Sequence, residues 1–174
     1  MSGQLERLDR AALRLLRTRF RSPALERAAI TYTATGEFGA LWIGLSLGGA
    51  LLEPERRRLW LACGAVVPLS LTVNYVVKRA VHRHRPQLEG VPPSGRVPTS
   101  LSFPSGHAAT SFAGAEAIGT LVPRARRPLR LAAGVMALTR PYLGLHYPSD
   151  ALAGSLLGAA VGRSVLGRMA APRA

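Results

Sequence analysis

The chain holds a single cysteine, Cys63, and a single lysine, Lys78, among 174 residues. One thiol excludes any intrachain disulfide framework and leaves the redox compartment unmarked. Every other basic residue is arginine, 22 in all, and the nine acidic residues leave a formal net charge of +14. A lysine where arginine is the habit suits an anion that takes one compact donor rather than a fork. No G-x-S-x-G elbow occurs, which makes Ser105 a poor nucleophile candidate. No G-x-x-x-x-G-K-[ST] occurs, which excludes a nucleotide P-loop. No cleavable signal peptide is visible, and no repeat or low-complexity segment stands out.

What the chain has instead is apolar length. Hydrophobic residues make up 48% and mean hydropathy is +0.15. The apolar runs are 38–52, 59–77, 108–122, 131–139 and 151–162, separated by arginine-rich turns. A chain this short cannot bury five nearly all-apolar helices within itself. With flanking residues, spans are expected near 36–52, 59–77, 107–122, 128–143 and 149–166, although most runs are near the short end for crossing a bilayer. The expected fold is therefore all-α: a multi-pass membrane helical bundle of about five transmembrane helices. Gly154, Gly158 and Gly162 give the last span a small-xxx-small stripe for close helix contact.

Residues 4–20 place Leu5, Leu8, Ala12, Leu15, Leu16 and Phe20 on one helical face and Arg7, Arg10, Arg14, Arg17 and Arg21 mostly elsewhere. That pattern predicts an amphipathic basic helix in the headgroup region. The apolar spans make anionic lipid the expected partner of the positive charge and argue against nucleic acid. The expected organisation is a basic N-terminal segment over 1–35, a membrane domain over 36–168 and a short tail over 169–174.

Polar groups at the ends of apolar helices are candidates for function. Three clusters occur: "KRAVHRHRP" from Lys78 to Pro86, "PSGH" from Pro104 to His107, and "RPYLGLHYPSD" from Arg140 to Asp150. If the spans alternate in direction, all three lie on one side. Lys78, Arg85 and Arg140, with a helix N-terminus, form a seat for a multiply charged anion, most simply phosphate. Gly106 admits close backbone approach and Ser105 adds a hydroxyl. His107 and His146 can divide nucleophile and acid roles, and Asp150 can hold one of them in its tautomer. His82 and His84 lie among Arg79, Arg83 and Arg85, which would repel a cation, so no metal is expected and the stretch reads as a solvated basic loop.

These clusters, in this order, resemble the signature of the type 2 phosphatidic acid phosphatase superfamily: K-x6-R-P, P-S-G-H and S-R-x5-H-x3-D. Thr139 stands where serine is usual and keeps the hydroxyl. The resemblance implies a cofactor-free, metal-independent phosphatase acting on a membrane lipid phosphate or pyrophosphate, polyprenyl-linked or phosphatidyl. It implies His146 as nucleophile through a phosphohistidine, Asp150 as its orienting partner and His107 as acid and then base. Lys78, Arg85, Ser105, Gly106 and Arg140 would hold the phosphate. The alternatives are a catalytically silent binder of anionic lipid, which has no need of the aspartate, and a vanadate-dependent haloperoxidase-like enzyme, whose relatives are soluble and larger.

The expected site side carries thirteen basic residues against ten, and the two sides become equal without Lys78, Arg85 and Arg140. Charge therefore does not orient the chain, and the resemblance implies a cell-membrane protein with an extracytoplasmic site. Glu116, nine residues beyond His107 and so about 13–14 Å deeper along the helix, is expected to be neutral or hydrogen-bonded between helices, with Asn74 or a hydroxyl as partner.

Overall fold

The computed structural model describes residues 3–95, 97 and 101–170. Its elements are α1 (Gly3–Arg19), α2 (Pro23–Thr35), α3 (Ala40–Leu52), α4 (Arg57–Val81), α5 (Gly106–Leu121), α6 (Arg126–Tyr142) and α7 (Pro148–Ala170), with no strand among the described residues. Each apolar run becomes one of the helices α3 to α7. The expected tail at 169–174 lies, beyond Ala170, outside the described residues.

Among the described residues, only Pro54–Val81 is a single helix long and apolar enough to cross a membrane. Pro23–Thr35 and Glu37–Leu52 pass the same test together, across a 44° bend. The break between them is at Gly36, and just beyond it Phe38 and Gly39 both take positive φ, 49° and 76°. Gly39 is required there twice over, because a Cβ would also lie 2.3 Å from Val67 Cγ1. The expected count of five spans is thus not reproduced by helix length and composition. At 16 and 17 residues, α5 and α6 fall short of the roughly 20 that a bilayer core asks for.

Helix α5 sits at the centre. Twelve of its residues, from Ala108 to Leu121, are buried, and it packs against α3, α4, α6 and α7. Its alanines and glycines allow that enclosure. Trp42 of α3 fills the space beside Gly114, where a Cβ would meet the Trp42 Cβ at 2.6 Å. The Trp42 indole donates to Ser111 Oγ at 3.0 Å. Large apolar side chains point outward: Leu51, Leu52, Leu131, Leu138, Leu152 and Leu156 are all exposed. An apolar exterior around a small-residue core is the inverse of a soluble domain and suits a lipid solvent.

The glycine stripe of α7 faces α5. A Cβ at Gly154, Gly158 or Gly162 would lie 2.4, 2.0 or 2.5 Å from the carbonyl oxygens of Ser105, Ala109 and Ala113. Backbone therefore meets backbone over two turns, and that contact sets the height of α7 against the start of α5.

Glu116 is fully buried at the far end of α5, clamped between two helices. Arg130 of α6 donates to its carboxylate at 2.6 and 2.9 Å. Arg163 of α7 donates at 3.0 and 3.2 Å. The expected partner, Asn74, instead donates to the Pro104 carbonyl at 3.2 Å. In place of a neutral partner stand two guanidiniums, 14 and 47 residues away, with charge enough to hold a carboxylate.

Helix α1 packs by a stripe that the amphipathic pattern did not mark. Asp9, Leu13 and Arg17 are buried, while Leu5, Leu8 and Leu15 face outward. Arg17, expected on the solvated side, donates to the carbonyls of Pro92 at 2.6 Å and Tyr142 at 3.0 Å and to Ser94 Oγ at 2.9 Å. It pins α1 to the connection between α4 and α5 and to the C-terminal end of α6.

Two expectations follow. Gly158→Ala forces a methyl against the Ala109 carbonyl and lowers stability by about 1–3 kcal/mol, read as a lower thermal midpoint in detergent. Glu116→Gln retains most activity, whereas Glu116→Leu loses about 1–2 kcal/mol of stability. Both arginines reach solvent and can rehydrate, which keeps that loss below the cost of a sealed ion pair. Phosphate release per folded molecule, measured beside the melting curves, checks both.

Candidate active site

The three clusters meet at one end of the bundle, as parity requires. Helix α4 delivers Lys78 in its last turn and stops at His82, which takes a left-handed conformation with φ of 52°. The Lys78 ammonium donates to the Leu101 carbonyl at 2.6 Å, so it braces the segment that leads into Pro104. Beyond the helix, Arg85 turns back across the site. Its Nη1 donates to the Leu145 carbonyl at 2.6 Å and lies 3.0 Å from His146 Nε2. The first cluster thereby touches the third.

The second cluster touches the third through backbone. Ser105 N–H donates to the Asp150 carbonyl at 2.9 Å, a contact that the glycine stripe of α7 makes possible. Gly106 opens α5; a Cβ there would meet Asn74 and Leu71 only at 3.8 Å. Packing within the protein therefore does not demand glycine at this position.

His146 precedes α7 and is buried. Its Nδ1 lies 3.5 Å from Asp150 Oδ2. Arg85 has only protons to offer, so Nε2 accepts and the ring carries its proton on Nδ1, toward the carboxylate. Burial pushes the His146 pKa down, Asp150 opposes that, and Arg85 reinforces it, to about 3. The imidazole is therefore neutral near pH 7, with its lone pair on Nε2. A neutral, oriented, buried imidazole facing an arginine is competent as a nucleophile toward a bound anion.

His107, in the first turn of α5, takes a different partner. Its Nε2 lies 3.2 Å from the Thr33 carbonyl and 3.6 Å from Glu37 Oε2. Arg140, buried in the last turn of α6, donates to Thr33 Oγ1 at 2.8 Å. Thr33 thus joins the second histidine to the third cluster's arginine. Ser105 Oγ and Arg140 Nε are buried and have no hydrogen-bond partner among the described residues. Two orphaned donors beside a cationic cluster are the donor set that an oxyanion would satisfy.

Asp150 has no exposure. Its Oδ2 accepts from the Tyr147 N–H at 2.8 Å and from the Ser102 hydroxyl, and its Oδ1 accepts from Arg83 Nη1 at 2.7 Å. Thr33, Glu37, Ser102 and Arg83 were not singled out by sequence reasoning. Nothing in spacing marks the first three. Arg83 lay inside the first cluster but read as part of a solvated loop. The described residues contain no group of His, Cys, Asp and Glu suited to a metal.

Comparison with known proteins identifies the family. The PAP2 superfamily profile matches residues 59–171. The chain is 38% identical over 153 residues to the decaprenylphosphoryl-5-phosphoribose phosphatase of Mycobacterium tuberculosis, covering 83% of each. It superimposes on the crystal structure of a transmembrane PAP2-type phosphatidylglycerolphosphate phosphatase from Bacillus subtilis with a TM-score of 0.79, at 23% identity, over 97% of this chain and 87% of that one. It superimposes on Aquifex aeolicus LpxE with a TM-score of 0.75, at 26% identity, over 90% and 93%. Motif order, helical fold and relatives coincide, and the chain belongs to the PAP2 superfamily as a membrane-associated phosphatase.

Proposed function

We propose that this protein is a multi-pass membrane enzyme that removes the terminal phosphate from a polyprenyl-linked lipid phosphate, on the extracytoplasmic side, without a metal. Helices α3 to α7 form the catalytic unit within 36–168, and the segment 1–35 packs on it. The observation that carries the reading is the setting of His146, with Nε2 against Arg85 and Nδ1 toward a sealed carboxylate. Likeness over most of both chains to a phosphatase of a decaprenyl-linked substrate supports the lipid class.

With substrate seated, Lys78, Arg85, Arg140, the Ser105 hydroxyl and the α5 N-terminus bind the phosphate oxygens and neutralise charge as it develops. His146 Nε2 attacks phosphorus. An N–P bond forms while the P–O bond to the lipid-linked group breaks, and His107, entering the step as the imidazolium that the seated phosphate's negative charge favours, gives the leaving oxygen a proton and becomes neutral. Asp150 stabilises the charge that builds on the His146 ring. Water then attacks phosphorus and gives its proton to His107. The N–P bond breaks and inorganic phosphate leaves, restoring both histidines.

Phosphate release from a panel of polyprenyl and phosphatidyl phosphates tests the reading, with the polyprenyl-linked monoester expected to give the highest kcat/KM. His146→Ala is expected to fold and to lose turnover by about three powers of ten or more. EDTA is expected to leave turnover unchanged. Near-normal turnover by His146→Ala would overturn the mechanism. Failure of the wild-type chain to hydrolyse any member of the panel would leave an anionic-lipid binder.

A further inference from the structure

Arg83 belongs to none of the positions that define the three clusters, yet its side chain is only 10% exposed. Nη1 donates to Asp150 Oδ1 and to Ser149 Oγ, both at 2.7 Å. Nη2 donates to Asp9 Oδ2 at 2.7 Å. The guanidinium lies over the Tyr147 ring, 3.9 Å from its centroid, and the Arg83 carbonyl accepts the Ser102 N–H at 2.7 Å. Ser102 in turn donates its hydroxyl to the other Asp150 oxygen. One residue therefore reaches both sides of the Asp150 carboxylate, directly at Oδ1 and through Ser102 at Oδ2.

Asp9, on α1, completes the arrangement. It is 4% exposed, accepts from Arg83, and also accepts the Ser149 N–H at 3.0 Å and the Ser149 hydroxyl. Ser149 is the second residue of α7, and its N–H is one that the helix cannot satisfy internally. The Asp9 carboxylate thus caps, from 140 residues away, the helix that begins next to His146, and it balances the charge of Arg83.

We propose that Arg83 and Asp9 are positioning residues for the phosphatase reaction: they lock the Asp150 carboxylate so that Oδ2 faces His146, which makes the N-terminal helix part of the active-site frame. This inference rests on the roles given to His146 and Asp150 under Proposed function. The carboxylate turns about the Cβ–Cγ bond. With Oδ1 held by a charged donor it cannot exchange its oxygens, and the tautomer of His146 stays fixed. Arg83 is not placed as a phosphate ligand. Its two Nη atoms are committed to two carboxylates and a hydroxyl, and a phosphate would have to displace Asp150 to reach them.

The test uses the full chain in lipid-detergent micelles with a polyprenyl phosphate, and each variant's melting curve is recorded. Arg83→Ala is expected to lower kcat by about 10–100-fold, the range seen for groups that orient a reacting residue rather than touch substrate. KM and the inhibition constant for vanadate are expected to stay within about twofold, since substrate binding is not what Arg83 serves. Arg83→Lys is expected to recover part of the loss, and Asp9→Asn, the milder change, to lower kcat by about 3–10-fold. Asp150→Asn, assayed at high enzyme concentration, is expected to make Arg83→Ala nearly silent, because residues acting through one another are not additive. Unchanged kcat in Arg83→Ala would overturn the proposal while leaving the phosphatase reading intact. So would a tenfold rise in the vanadate constant, which would make Arg83 a phosphate ligand, or a fully additive loss in the Asp150→Asn background, which would make its role structural. If Arg83→Ala does not fold, Arg83→Lys and Asp9→Asn decide, and wild-type kcat in both would overturn it.

Discussion

A carboxylate removed from water is costly unless its lone pairs are occupied, and Asp150 is removed completely. The arrangement of the catalytic end follows from meeting that demand. Three of its partners come from three separate places: the loop after α4, the segment before α5 and the turn before α7. Each partner fixes a backbone stretch that also carries a motif residue. Satisfying one buried charge thus brings the three clusters into register, and His146 receives its orientation as part of the same solution.

The opposite end of the bundle uses the same physics for a different purpose. Glu116 joins α5, α6 and α7 through two arginines, far from the chemistry. Between the two ends, the α5–α7 contact runs on backbone and glycine. Lipid supplies no hydrophobic drive for helices to associate, so close packing and polar pairs carry the association. The central helix is accordingly built of small residues, with charge pairing near both of its ends. A larger residue along the stripe would shift α7 relative to Ser105, and with it the height of Asp150 beneath His146.

The sequence was most legible where chemistry imposes spacing. Lys78, Arg85, Ser105, Arg140, His146 and Asp150 stand at one end of the bundle as helix parity predicted, and the stripe at Gly154, Gly158 and Gly162 meets α5 as its period predicted. Less legible were groups whose role depends on a partner distant in the chain. Thr33 is an unremarkable threonine until α2 carries it to His107 and Arg140. Glu116 read as neutral or hydrogen-bonded between helices to Asn74 or a hydroxyl, because nothing local announces Arg163. Arg17 looked like the wet side of an amphipathic helix, since periodicity locates an apolar stripe but cannot tell a polar face in solvent from one docked on polar backbone. Span number was also beyond reach: apolar runs locate helices, while the length that crosses a bilayer depends on bends such as that at Gly36.

The long reach of α1 has a consequence for biogenesis. Chains emerge from the ribosome N-terminus first, so α1 exists before any of its partners. Arg17 must wait for Tyr142, 125 residues later, and Asp9 for Ser149, 140 residues later. Helix α1 is thus made before the residues it docks on and docks late, and closing so long a connection is slow relative to local helix pairing. During that interval its outward leucines and arginines give it a resting place at the headgroups. Docking of α1 then waits on the helix that begins next to His146, and the frame around Asp150 closes only once both segments are present.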